Sequence, residues 1–446
     1  MTTLKDLKDT KGIAVHVINQ EQVKQITKQY YPKWNDYTFP AILYITKVYS
    51  YADIFEIFYL CEGKTFSTMV PLDFKITIAS DEIQAEYKEQ HIQEQIKDFS
   101  NTLYDTICVG SDPEVFVQDA NKNVIPAFNF LGPKSKPDKT SMGAFTGSNM
   151  PRYWDGFQAE FETFPNSCLS YLVDSIYYGL KGVYLKAKAH DKNATLSIKT
   201  VMDISPELLE TSLPEHVDFG CMPSLNAYSI QTEKRPGREV NFRPAGGHIH
   251  FGLGKHTEEK AIPIIKALDA IIGVACVSMF ASLDDPRRRM LYGLPGEYRL
   301  PAHGIEYRTL SNAWLCHPLI TNLVFDISRK VVLLSQRDLF TRVWNATEEE
   351  TVNCITNSDV ASARIILQRN KDIFLKLCTA AYKGNTPEKI NKIYELFLNG
   401  VETGVDNPSD IIGNWLLDND TWKSHNESIG KNFKSTWVPV EVKKAA

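Results

Sequence analysis

The sequence predicts an α+β chain of two or three domains, and three observations point there. Four short stretches between residues 105 and 315 place charged residues at a strand's period of two. Long segments at helical spacing, residues 169–190, 258–283 and 318–336, alternate with them or follow them. The length of 446 residues exceeds one ordinary domain of roughly 100–200 residues.

Residues 1–105 read as a small N-terminal α/β domain. Residues 41–49 and 54–61 have the β-branched and aromatic content of strands, and residues 65–70 and 74–78 extend the sheet. Residues 80–99, rich in Glu, Gln and Lys with Ile and Tyr at helical spacing, read as an exposed helix. No chemical motif falls here, which suits an accessory or assembly domain.

Residues 106–335 hold every candidate site. Residues 107–117 are apolar at both ends and carry Asp112 and Glu114 between. Acids inside a buried strand are costly unless paired or metal-bound, and Pro113 argues for an edge position or a bulge. Residues 130–152, with Lys134, Lys136 and Lys139, read as a long loop. It is either a mobile cover whose lysines approach phosphates or a flexible surface loop. Residues 153–164 form a second acidic strand with Glu160 and Glu162 on one face. A helix over 169–190, a strand over 196–202 and a helix start at Ser205-Pro206-Glu207 follow. Residues 218–230, rich in Gly, Pro and Asn, read as one wall of a binding site, and residues 235–243 as a charged loop.

The next stretch is Gly246-Gly247-His248-Ile249-His250-Phe251-Gly252-Leu253-Gly254. On a strand, His248 and His250 share one face, and the flanking glycines suit close backbone approach. Two such imidazoles serve as metal or phosphate contacts, or are surface histidines of an edge strand. Thr257 is placed to cap the helix over 258–283, which packs along the sheet. Five arginines then fall within 22 residues: Arg287, Arg288, Arg289, Arg299 and Arg308. Arginine clamps phosphate or carboxylate. Arg287 and Arg288 read instead as surface bridges to Asp284, Asp285 or Glu297, whereas Arg308 shares a strand face with Glu306. Residues 336–446 form a helical C-terminal region, with helices over 361–382 and 387–400, in which Trp415, Trp422 and Trp437 pack against the body.

Composition narrows the partners. With 43% hydrophobic and 23% charged residues the chain is ordinary for a globular protein. The net charge of −5 gives no indication of nucleic acid as a partner. The longest apolar segment is broken by Pro263, Lys266 and Asp269, so no membrane span is expected. The eight cysteines form no CxxC pair, and several sit in apolar runs as buried thiols. Together with a polar N-terminus lacking a signal-peptide core, this fits a cytoplasmic protein. A homo-oligomer is compatible with the sequence.

Four stretches of acids, imidazoles and guanidinium on strand faces suggest one concentrated charged site, in which the carboxylates would repel unless a cation sits among them. Oxygen-rich donor sets favour Mg²⁺ or Mn²⁺ over zinc. No GxSxG, P-loop or GxGxxG is present, and the glutamate a cupin needs after H-x-H is missing. Acids with arginines around a sheet suit nucleotide chemistry without a P-loop. A zinc-dependent hydrolase built on the H-x-H pair is the alternative from the residues alone.

The ordered series D-P-E, D-G-x-x-x-E-x-E, G-G-H-I-H, Y-R and I-E-Y-R resembles the glutamine synthetase-like carboxylate–amine ligases, and most closely their phage-type COOH·NH2 ligase (amidoligase) type 2 family. The resemblance covers roughly residues 105–315. It implies an antiparallel sheet with helices packed on one face and a funnel-like active face. It implies that Glu114, Glu160 and Glu162 hold one divalent ion, and that Asp112, His248 and Glu306 hold a second. Arg299 and Arg308 would act with Glu306 in catalysis, and with Lys134 and His250 would contact the nucleotide. The cofactors implied are ATP and Mg²⁺ or Mn²⁺, and the partners a carboxylate and an amine. A structural or binding protein with a degenerate ligase fold is the further alternative; if the chain is phage-encoded, its compartment is the host bacterial cytoplasm.

Overall fold

The computed structural model describes residues 4–7, 12–18, 40–52, 54–61, 64–97, 107–141, 149–218, 224–230, 237–379, 386–400 and 415. The chain divides into two compact units, Met1–Thr102 and Leu103–Ala446.

The first unit is a sheet of β1 (Ile13–Val17), β2 (Ile42–Ser50), β3 (Ile54–Cys61), β4 (Lys64–Pro71) and β5 (Ile76–Ile78), in the order β4-β3-β2-β1-β5. Its strand pairs are all antiparallel. The α/β expectation is therefore corrected: a wholly antiparallel sheet followed by a helix is α+β. The four expected strand segments are present, and β1 joins them. One sheet face buries Val15, Leu43, Ile45, Ile57 and Tyr59. On the other, Ala14, Tyr44 and Leu60 meet α1 (Asp81–Lys97) through Ile83 and Tyr87. Gln84 fixes that contact by bonding both the N–H and the C=O of Ala14 at 2.7 Å.

The second unit contains twelve described strands: β6 (Cys108–Ser111), β7 (Glu114–Gln118), β8 (Asp138–Ser141), β9 (Asn149–Asp155), β10 (Gln158–Phe161), β11 (Thr195–Ser197), β12 (Val201–Asp203), β13 (Leu225–Asn226), β14 (Phe242–Pro244), β15 (Ile249–Gly252), β16 (Glu297–Arg299) and β17 (Gly304–Tyr307). They form sheets β11-β7-β10-β9-β8, β12-β14 and β13-β16-β17-β15-β6, with antiparallel pairing. Three expectations change in detail. The stretch 107–117 is two strands in two different sheets, because Asp112-Pro113 breaks the ladder where proline has no N–H to give. Residues 130–152 are not all loop, since β8 pairs with the start of β9. The second acidic strand is a hairpin, β9 and β10, turning at Gly156-Phe157 with Gly156 at φ 59°. The strand expected over 196–202 likewise divides into β11 and β12, which lie in separate sheets.

Helices back these sheets. On α2 (Leu169–His190), Gly179 and Gly182 face Phe161 and Arg152. A Cβ at Gly179 would lie 2.2 Å from the Phe161 ring, so these glycines set how closely the helix approaches. The apolar helix α3 (Glu258–Met279) is mostly buried inside the unit, as a core helix is. Thr257 occupies its N-cap position but makes no side-chain capping bond, contrary to the expectation. A π-helical turn, Asp269–Gly273, interrupts α3 and carries the fully buried Asp269. Helices α4 (Pro318–Gln336), α5 (Glu348–Thr356), α6 (Val360–Arg369), α7 (Lys371–Thr379) and α8 (Pro387–Asn399) follow. The expected helix over 361–382 is broken at Asn370, and α3 contacts α4, α6 and α8. Trp415 is buried and donates to the Leu315 carbonyl at 2.5 Å. Trp422 and Trp437 lie outside the described residues.

Candidate active site

The register of the β17 sheet aligns the first half of the site. His250 on β15 pairs with Glu306 on β17, and Glu306 pairs with Arg299 on β16. Residues directly opposite share a face, so the three form one row across three strands. His248 and Arg308 lie one step along on that face. The alternate residues Ile249, Phe251, Ile305 and Tyr307 are fully buried behind it, and Tyr307 donates to Asp269 at 2.6 Å. The glycines before His248 are required by packing: a Cβ at Gly247 would meet Trp314 Nε1 at 2.3 Å and the Ser311 carbonyl at 2.4 Å.

The second half comes from the other sheet. Glu160 on β10 pairs with Glu114 on β7 and with Tyr153 on β9. The Tyr153 hydroxyl lies 2.7 Å from Glu160 and 2.9 Å from Glu162. Asp155, two residues beyond Tyr153, falls on the same face. The corner Asp112-Pro113-Glu114 joins the halves, with Asp112 turned to the histidines and Glu114 to the acids. Glu114 is held by Gly246 N–H at 2.7 Å and the Tyr292 hydroxyl at 2.8 Å.

Among the described residues, two groups place one donor atom each within 4.8 Å of one another: Asp112, His250 and Glu306, and Glu114, Asp155 and Glu160. In the first, His250 Nε2 lies 3.1 Å from Asp112, and His248 Nδ1 lies 3.6 Å from Asp112 and 3.5 Å from Glu306. Asp112 Oδ1, His250 Nε2, His248 Nε2 and Glu306 Oε1 are buried yet accept or donate no hydrogen bond. Such orphaned atoms are what a bound cation would satisfy. Arg308 Nε and Arg299 Nη1 approach Glu306 at 3.1 and 3.6 Å, and Arg308 also donates to Ser224 at 2.6 Å.

The electrostatics separate the two groups. Burial, then the Asp155 charge, pushes Glu114 up to about 7 against its two hydrogen-bond donors. Burial, with Asp112 and Asp155 beside it, raises Glu160 well above the usual range. Asp155 is raised by burial, which Lys134, Arg308 and Arg299 partly offset. Three carboxyls that resist ionising together form a site short of positive charge. Asp112 behaves oppositely: burial alone raises it, but His250 and His248 outweigh that and hold it well below the usual range. Burial and Arg308 lower His248; burial also lowers His250, but Asp112, Glu306 and Glu162 together outweigh it and raise that imidazole.

The structure brings together all ten residues singled out from the sequence, with two differences in grouping. Asp155 stands with Glu114 and Glu160, while Glu162 lies toward the rim, its side chain 45% exposed. His250 joins the group with Asp112 and Glu306, 3.1 Å from Asp112. Lys134 rests its ammonium 3.6 Å from both Glu160 and Glu162 and over the Tyr153 ring at 4.7 Å. Asp155 is the acid of the D-G-x-x-x-E-x-E motif to which the sequence reading assigned no ligand role. Counting by twos from Tyr153 gives its face. Arg287 bridges Asp285 as expected and also Asp203, but Arg288 is corrected: it is fully buried and bonds main-chain carbonyls.

Both donor groups fit divalent cations, the all-carboxylate one in particular suiting Mg²⁺ or Mn²⁺. No curated protein matches the chain. Residues 236–416, which carry His248, His250, Arg299, Glu306 and Arg308, match the family model described as phage phiEco32-like COOH.NH2 ligase-type 2. This part of the chain thus matches the model of the family that the motif series resembles, and that family's name indicates a ligase joining a carboxylate to an amine.

Proposed function

We propose that the chain is an ATP-dependent carboxylate–amine ligase of glutamine synthetase-like arrangement, working through an acyl phosphate. One observation carries the reading: two buried donor groups, joined at the Asp112-Pro113-Glu114 corner, face Arg299 and Arg308 across one strand row. The arginines and the acid count favour phosphoryl transfer over the H-x-H hydrolase.

In the first step a carboxylate oxygen of the substrate attacks the γ-phosphorus of ATP, the bond to the bridging oxygen breaks, and ADP leaves. In the second the amine nitrogen attacks the acyl carbon, phosphate departs with the carbon–oxygen bond's electrons, and the nitrogen loses a proton. Arg308, held by Ser224, is a fixed donor for the transferring phosphoryl oxygens. Arg299, with 29% of its side chain exposed, reaches the same group from the rim. Glu114, Asp155 and Glu160, and Asp112, His250 and Glu306, would each hold a divalent ion, which would supply positive charge to offset that of the nucleotide phosphates. The wall of Tyr153, Glu160 and Glu162, with Lys134 above it, borders the space the substrates enter.

Hydroxylamine is a general amine for trapping acyl phosphates. With ATP, Mg²⁺ or Mn²⁺ and a panel of carboxylic acids, the protein should form a hydroxamate and ADP in equal amounts. Arg308→Met should lose about 10²–10³-fold in rate. Cleavage to AMP and pyrophosphate, or no product with any acid while nucleotide binds, would overturn the acyl-phosphate route.

A further inference from the structure

The loop between β16 and β17 carries a residue that no motif points to, His303. Its side chain is exposed, yet its Nε2 lies 3.1 Å from His250 Nδ1. The loop is locked to the end of β15: the His303 carbonyl accepts from Leu253 N–H at 3.1 Å and Gly254 N–H at 3.0 Å. The next residue, Gly304, has φ 151°, and a Cβ there would lie 2.0 Å from the Phe251 carbonyl oxygen. His303 is thus held against His250 by the backbone.

The other nitrogen of His250, Nε2, faces Asp112 Oδ1 at 3.1 Å within the group that includes Glu306. An imidazole can offer a lone pair at Nε2 only while its proton sits on Nδ1. That proton needs an acceptor, and among the described residues His303 Nε2 is within reach. We infer that His303 is a positioning residue: it accepts Nδ1–H of His250, fixing ring and tautomer so that Nε2 is free to ligate a divalent cation beside Asp112 and Glu306. A partner that orients a ligating histidine is worth about 10–100-fold in metal affinity. The inference rests on the cation site of the proposed function, but not on ATP or on amide formation.

The test is direct binding of Mn²⁺ alone to the full chain, read by loss of the free-ion electron paramagnetic resonance signal. His303→Ala should weaken one class of Mn²⁺ site by about 10–100-fold, approaching His250→Ala. His303→Gln, whose amide oxygen can accept the same hydrogen, should recover most of the loss. Nitrogen-15 spectra of the histidine rings add a readout that a merely structural role would not move. His250 should show a protonated Nδ1 and bare Nε2 in the wild type, and a mixture in His303→Ala. Unchanged Mn²⁺ affinity in a folded His303→Ala, a His303→Gln as weak as His303→Ala, or a wild-type His250 protonated on Nε2 would overturn it. A wild type that binds Mn²⁺ as described but never turns over ATP would sink the ligase reading and leave this one standing.

Discussion

Replacing Arg288 by Met tests how the two site strands are held. The guanidinium is fully buried and its hydrogen bonds go to carbonyls: Leu310 at 2.7 Å, Thr309 at 2.8 Å, Ala245 at 3.1 Å and Arg308 at 3.4 Å. It thereby ties the residues just before the histidine strand to those just after Glu306. Hydrogen bonds to a charged group contribute about 1.5–3 kcal/mol each, so the three shorter ones represent roughly 5–9 kcal/mol. Against that stands the desolvation of a lone buried cation, several kcal/mol that methionine does not incur. The expected net loss is about 3–5 kcal/mol. Arg287→Met, one residue away, breaks only partly exposed bridges to Asp203 and Asp285 and should cost about 1 kcal/mol or less. Urea unfolding followed by tryptophan fluorescence reads the larger unit, since six of the seven tryptophans lie beyond residue 102. Equal losses in the two variants, or an Arg288→Met within about 1 kcal/mol of wild type, would refute the reasoning.

Two other outcomes follow from the packing. Trp415→Ala removes a buried indole and its bond to the Leu315 carbonyl, and should destabilise the larger unit by about 3–5 kcal/mol in the same assay. Asp269, in the π-helical turn, has its carboxyl pushed up to about 7 by burial, outweighing the donors Tyr307, Thr309 and Gly296. A folded pKa above the unfolded one of about 3.9 means its contribution is most favourable below pH 4 and is lost as pH rises toward about 7. Asp269→Asn should therefore flatten the fall in stability over that window, measured with chelator present; an unchanged slope would show that Asp269 is not the group responsible.

Much of the site was legible because strand faces have a period of two. Glu160 and Glu162, His248 and His250, and Glu306 and Arg308 each declare a shared face from sequence alone. What local pattern could not show is which strands become neighbours. The pairing of His250 with Glu306, and of Glu160 with Glu114, is a matter of sheet register between segments more than 40 residues apart. Pro113 reads as an edge position or a bulge; β6 before it is an edge strand, and the proline is the point where the chain passes from one sheet to the other. Asp155 stands in the D-G-x-x-x-E-x-E motif, but its place beside Glu114 and Glu160 depends on the pairing of β9, β10 and β7. His303 had no signal, being a lone histidine in a loop. The helices over 169–190 and 318–336 match the expected bounds because their apolar spacing is unambiguous. The short strands β8 and β14 escaped because three or four residues do not establish a period.

The most direct measurement of the central claim is thermal stability of the larger unit with ATP plus Mn²⁺ and with ATP plus chelator, in wild type and Glu160→Gln. A ligand at about 100 times its dissociation constant stabilises by roughly 2.7 kcal/mol, a readily measured rise in melting temperature. The account predicts that rise in the wild type, its absence with chelator, and its loss in a Glu160→Gln protein that melts normally without ligand. A nucleotide shift that survives both chelator and Glu160→Gln, or no shift in the wild type at any ATP concentration, would contradict it.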